Sequence, residues 1–177
     1  TGWMVGREIT EHGSRSRQAI GTCLLEVENL CVASQNSRQS GQLHNVSFRV
    51  HAGEVLGLAG LMGAGRTEVL ETIFGASTRP WQGKILLGGK AVRFTHPSDA
   101  CEAGLVMVPE DRKRLGIFTN LNVTENISIC SLCHTIRNGL LSKQIEEGIV
   151  AKPIQQMGIK IPSLTASISE LSGGNQQ

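Results

Sequence analysis

A chain of 177 residues with 40% apolar side chains is long enough to bury the core of one ordinary domain and too apolar to read as disordered. Its formal charge of +2 comes from 17 basic and 15 acidic side chains that are interspersed, so nucleic acid is excluded as a main partner and an anionic lipid surface is not indicated. No apolar run approaches the roughly 18 residues of a membrane span, no secretory leader opens the chain, and an odd five cysteines make no disulfide framework, so a reducing cytosolic setting is expected.

The chain opens on Thr1, so residues upstream are expected to have been lost. The polar, basic run GSRSRQAIG at 13–21 reads as a solvated linker at a domain boundary. LLEVENL at 24–30 alternates as a strand does, and a polar loop follows at 34–42. Val46, Phe48 and Val50 alternate with Ser47, Arg49 and His51, a strand with one wet face, before Ala52 and Gly53 turn the chain. Together they predict an antiparallel layer. Residues 54–59, with Val55, Leu56, Leu58 and Ala59, predict a strand buried on both sides. After a glycine-rich loop, Val69, Leu70, Ile73 and Phe74 fall at helical spacing within 67–74, with Gly75 as a left-handed stop.

Residues 84–87 and 91–94 flank Gly88 and Gly89 as a hairpin, while Pro97 and Ser98 open a short helix that Gly104 closes. Residues 105–108 predict another buried strand. From 120 to 158 the periodicity is mostly helical, with interruptions expected near Gly139 and Pro153, and a polar tail follows from Leu171. There is no internal repeat.

GLMGAGRT at 60–67 (Gly60, Leu61, Met62, Gly63, Ala64, Gly65, Arg66, Thr67), followed by Glu68, departs from GxxxxGK(S/T) at one position, where Arg66 replaces lysine. Between a strand and an amphipathic helix, Gly63 and Gly65 would let backbone N–H groups curl round a phosphate, and the helix N-terminus adds its dipole. Thr67 would offer its hydroxyl to Mg2+. The alternative is a glycine-rich turn that binds nothing. Arg66 keeps the positive charge but is bulkier than lysine and forks its donors, so weak binding and poor hydrolysis are expected. A dinucleotide fingerprint is excluded, since GxGxxG would need glycine where Glu68 stands, and the NKxD run of a GTPase is absent.

The tail supplies a second candidate anion site. Leu171, Ser172, Gly173, Gly174, Asn175 and Gln176 spell LSGGNQ before the final Gln177, with Ser172 placed as an N-cap and the N–H groups of Gly173 and Gly174 at a helix start. LSGGNQQ resembles the ABC signature LSGGQ, in the spelling typical of ATPases of monosaccharide importers. GEVLGLAGLMGAGRTE at 53–68 and VPEDRKRLGI at 108–117 are similar to the second ATP-binding domain of fused two-domain importer subunits of the ribose, xylose, galactose or arabinose type, and MVGRE at 4–8 resembles the close of the first. Arg66 is itself usual in that second domain.

The resemblance implies an α/β fold, an ABC-type P-loop NTPase domain with an antiparallel β subdomain and a helical subdomain, incomplete at the C-terminus. Its implied divisions are 1–22 for the end of a preceding domain and linker, 23–118 for the β subdomain and P-loop core, 119–170 for the helical subdomain, and 171–177 for the signature. It implies ATP and Mg2+ as ligands and a head-to-tail sandwich with a first ATP-binding domain of the same or a second subunit. Membrane permease subunits would be direct partners and an extracytoplasmic sugar-binding protein an indirect one, on the cytoplasmic face of the bacterial plasma membrane. Because the Walker B strand follows the signature in this family, LVMVPED at 105–111 is not that strand, and Glu110 takes the place of the Q-loop glutamine. Walker B and the switch histidine would lie beyond the chain, so no turnover is expected from it alone, and the loss of central strands with that portion is expected to leave an unpaired edge prone to self-association. A rival function is a non-catalytic regulatory or assembly module with little nucleotide binding of its own.

The family's adenine-stacking aromatic would lie between Leu30 and Leu43, a stretch with no aromatic residue. CSLCH at 130–134 matches the haem attachment pattern CxxCH, but Ile127, Cys130 and Ile136 at helical spacing make the cysteine a small apolar residue instead. The sequons at Asn45, Asn122 and Asn126 carry no weight without export, and the histidines lack metal-ligand spacing. Trp3 and Trp81, among polar neighbours, are expected at an interface or partly buried.

Overall fold

The computed structural model describes residues 20–34, 42–137 and 139–176, so 13–19 of the expected linker and the MVGRE segment lie outside it. The chain forms two compact units, the first ending at Met107 and the second starting at Val108.

In the first unit, β1 (Cys23–Val32), β2 (Leu43–His51), β3 (Trp81–Leu87) and β4 (Lys90–Val92) make the expected antiparallel sheet in the order β2-β1-β3-β4. The central strand β1 carries a bulge. Asn29 takes φ 51°, and the pairing slips between Val27 and Leu30, so these two residues, three apart, both enter the core. Gly83 lies across from the bulge. A Cβ there would stand 2.7 Å from the carbonyl oxygens of Glu28 and Asn29, so only glycine lets β3 approach.

Helix α1 (Arg66–Ile73) lays Val69 and Ile73 on this sheet, and the core joins them to Val27, Leu30, Val32, Leu43 and Ile85. Leu70 stays 47% exposed. The β3–β4 turn uses Gly88 and Gly89 at φ 55° and 79°, the mirror-image turn that matches strand twist. Helix α2 (Pro97–Glu102) starts at His96, whose Nδ1 accepts the Ser98 N–H at 3.2 Å.

Two expectations fail here. Neither 54–59 nor 105–108 is a strand, and Val55 is 78% and Val106 85% exposed. An extended segment becomes a strand through a ladder, and neither finds one among the described residues. Leu56 and Leu58 instead line an apolar hollow with Phe48, Ile73 and Leu105.

The second unit is helical apart from one small hairpin. It comprises α3 (Arg112–Leu115), α4 (Val123–Ser128), a 3-10 turn (Ile129–Ser131), α5 (Leu132–Thr135), β5 (Ile136–Arg137) paired with β6 (Leu140–Leu141), α6 (Lys143–Met157) and a 3-10 turn (Ile168–Glu170). Asn122 and Glu125 form a reciprocal capping box that starts α4. The core gathers Val123, Ala166, Ile168 and Leu171, with Ile117, Ile127 and Ile161 against them, and Ser128 Oγ donates to Glu146 Oε1 at 2.6 Å to tie α4 to α6.

The interruption expected at Gly139 is the β5–β6 turn, but Pro153 interrupts nothing and α6 runs through it to a left-handed Gly158 at φ 63°. The lost N–H and the ring clash cost a helix about 3 kcal/mol, which the packing of this helix, with Val150 fully buried, outweighs. Ile127, Cys130 and Ile136 do not share a helical face. They fall on α4, the 3-10 turn and β5, and Cys130 and Ile136 are exposed. Within the second unit Ile117 packs into the core and Asn126 holds Phe118. Leu171, at the head of the LSGGNQ run, is 7% exposed in that core.

Candidate phosphate-binding loop and signature turn

Residues 61–64 turn tightly, the Ala64 N–H donating to the Leu61 carbonyl at 3.1 Å, and α1 begins two residues later. Gly63 and Gly65 sit at φ 81° and 86°. Gly65 is the N-cap, with no side-chain cap bond, and its carbonyl takes the Val69 N–H at 3.0 Å. Left-handed backbone at both glycines wraps the chain over the helix start, so the first-turn amides of Arg66, Thr67 and Glu68 face out of the N-terminus, where an anion is stabilised. Met62 is 97% and Leu61 86% exposed, as suits a loop that acts through its backbone.

The loop is locked by contact as well as by dihedral angle. A Cβ on Gly65 would lie 2.3 Å from Leu43 Cδ2, and one on Gly60 3.0 Å from Ala64 Cβ. Arg66 and Thr67 are exposed at the loop mouth. Glu68 turns to the body of the unit instead, 3.7 Å from Arg79 Nη2, and its carbonyl accepts Thr72 Oγ1 at 2.6 Å. On charge alone Glu68 would repel phosphate, and Arg79 offsets that charge. Just upstream, His51 Nδ1 and its backbone N–H both bond Glu54 Oε2, at 2.8 and 2.7 Å, which holds the Glu54 carboxyl below its ordinary pKa.

In the second unit, the Ser172 carbonyl accepts the N–H groups of Asn175 and Gln176 at 2.9 and 3.1 Å, as an N-cap carbonyl does. Gly173 and Gly174 are exposed within that single turn. The side chains of Asn175 and Gln176 bond within their own unit. Asn175 Nδ2 donates to the Lys160 carbonyl at 3.1 Å while its Oδ1 accepts the Lys160 N–H at 3.4 Å, and Gln176 Nε2 donates to the carbonyls of Ile168 and Leu171, both at 3.0 Å. Their amides clamp the turn to its own unit. Glu110 is exposed near the start of the second unit.

Sheet, glycine-capped loop and following helix define the P-loop class of nucleotide-binding folds. The sequence model described as ABC transporter matches residues 43–177, and the chain belongs to that family. It is 39% identical over 174 residues to the xylose import ATP-binding protein of Photobacterium profundum, covering 98% of this chain and 34% of that protein. It is 42% identical over 175 residues to the ribose import ATP-binding protein of Geobacillus kaustophilus, with the same coverage of 98% and 34%. The chain thus spans about a third of the length of these curated relatives. Among solved structures, a dimeric ATP-binding cassette in a post-hydrolysis state with ADP and phosphate superposes with a TM-score of 0.63 at 16% identity, over 86% of this chain and 65% of that one. A bacterial Atm1-family ABC exporter with ATP bound gives 0.57 at 20% identity, over 90% and 26%. The fold is that of an ABC ATPase.

Proposed function

We propose that this chain is the nucleotide-binding part of an ATPase that energises uptake of a monosaccharide. The observation that carries the reading is the glycine-capped entry to α1, where GLMGAGRT wraps over a helix start. The relatives named for xylose and ribose import support a pentose or similar sugar as cargo.

The backbone amides of residues 63–68 cradle the phosphates of ATP, and Arg66 adds a forked positive charge where most P-loops carry lysine. Mg2+ held mainly by phosphates needs only one or two protein ligands, and the exposed Thr67 offers a hydroxyl for one of them. When bound, it neutralises developing phosphate charge. With arginine in the loop this site binds weakly and hydrolyses poorly. Ser172, Gly173 and Gly174 face a different nucleotide, completing the site of a partner ATP-binding domain in the same or a second subunit.

Closure of that sandwich moves the segment 110–126, with Glu110 at the Q-loop position, against permease subunits at the cytoplasmic membrane face. The sugar-binding protein is an indirect partner. No described helix is long and apolar enough to cross a membrane.

Titration of the chain with a fluorescent ATP analogue and Mg2+ tests this. Saturable binding, displaced by ATP and weakened by Thr67→Val, supports the nucleotide engine. Absence of saturable binding favours the non-catalytic assembly module instead.

A further inference from the structure

The second unit carries one element that its core leaves bare. Hairpin β5–β6 pairs Ile136 with Leu141 and Arg137 with Leu140, and at its base the Ser142 N–H donates to the Thr135 carbonyl at 3.0 Å. Thr135 is fully buried and its Oγ1 donates to the Leu132 carbonyl at 2.8 Å, so that base is fixed. Beyond it the side chains meet water. Ile136 is 52%, Leu140 75% and Leu141 60% exposed, on strands of only two residues each. Three large aliphatic side chains at the end of so short a hairpin leave apolar surface that burial would stabilise.

The charge around this tip has one sign. His134, Arg137 and Lys143 are exposed, and residues 129–145 include no aspartate or glutamate. Among the described residues neither Arg137 nor Lys143 forms an ion pair, and the Glu146 carboxylate on the first turn of α6 is taken by Ser128. The exposed Glu147 lies a turn along α6. The nearly even charge of the whole chain hides this local excess of cations.

We propose that the hairpin docks on an anionic lipid surface, its leucines entering the headgroup layer while Arg137 and Lys143 meet lipid phosphates. Size favours lipid over protein. A stable protein contact needs about 800 Å² from each partner, more than a tip of four paired residues offers. A bilayer accepts a few aliphatic side chains to a depth of about 5–10 Å, and each basic residue near an anionic surface adds about a fivefold gain in affinity. The hairpin lies outside residues 60–67 and 171–176, so the proposal is independent of the nucleotide reading.

Cosedimentation of the chain with vesicles of phosphatidylcholine and phosphatidylglycerol in equal parts tests this, with vesicles of phosphatidylcholine alone as the reference. Binding to the anionic vesicles should be about tenfold tighter or more, and should weaken as salt is raised. Leu140→Ser with Leu141→Ser should weaken it about tenfold, and Arg137→Gln about fivefold, with unchanged thermal melts because these side chains are exposed. Arg137→Gln with Lys143→Gln leaves the leucines in place and should weaken it about twenty-five-fold. Equal binding to both vesicle types, binding that these variants leave unchanged, or no binding at all overturns the proposal. Self-association in vesicle-free buffer, abolished by Leu140→Ser with Leu141→Ser, identifies a second copy of the chain as the occupant and overturns it too.

Discussion

Gly65→Ala strikes the loop at its tightest point. Alanine at φ 86° costs about 1–2 kcal/mol of backbone strain, since the left-handed region crowds Cβ against the following carbonyl oxygen. The new methyl also stands 2.3 Å from Leu43 Cδ2 and 3.4 Å from its Cγ. Leu43 is 4% exposed in the first core, so it has little room to withdraw, and overpacking of this kind costs about 1–3 kcal/mol. The sum is about 2–5 kcal/mol, a large part of a domain's usual margin. Urea denaturation followed by circular dichroism measures it. Leu43→Ala alone should cost about 2–5 kcal/mol through the cavity it leaves. The double variant should then lose about 1–3 kcal/mol less than the two single losses added, because the clash is gone while the backbone strain remains. A Gly65→Ala protein as stable as the parent, or losses that simply add, would refute both the left-handed cap and the Leu43 contact.

Asn126 Nδ2 donates to the carbonyls of Phe118, Leu121 and Asn122 at 3.0, 3.2 and 2.9 Å while its Oδ1 accepts the Phe118 N–H at 2.8 Å. Asn126→Asp turns that donor into an acceptor facing three carbonyls, so a loss of about 1–3 kcal/mol is expected in the same denaturation assay, larger at pH 7 than at pH 3. Asn175→Ala removes both bonds to Lys160 and should speed amide hydrogen exchange at Gly173 and Gly174, with little change in the first unit. For Glu54, whose carboxyl is held low by the His51 ring and backbone, stability is present above the unfolded-state pKa and fades as pH falls through the lower folded-state value. Glu54→Gln should therefore melt below the parent at pH 7, the gap closing below about pH 4.

The sheet was legible because β1, β2 and the β3–β4 hairpin satisfy their ladders within the chain and show it as alternation and a Gly-Gly turn. Residues 54–59 and 105–108 were misread for the converse reason. A continuous apolar run records the neighbours a segment is suited to, and the described residues do not supply them. The bulge at Asn29 was invisible because its partner, Gly83, is far away in sequence. Pro153 misled because local propensity is a weak prior against tertiary packing. In the site, glycine spacing announced the loop, but the clamp by Asn175 and Gln176 depends on Lys160 and Ile168, which no motif names. Trp81 is partly buried, as expected, and its sharing of a cleft with Leu43 emerges only from the pairing of three strands.

The amide spectrum of the 15N-labelled chain, recorded during titration with Mg-ATP, tests the phosphate cradle most directly. If residues 60–67 hold the triphosphate, the N–H signals of Gly63, Gly65, Arg66 and Thr67 move first and furthest and saturate together. Signals that move elsewhere while those of the loop stay fixed, or none that move at all, would contradict it.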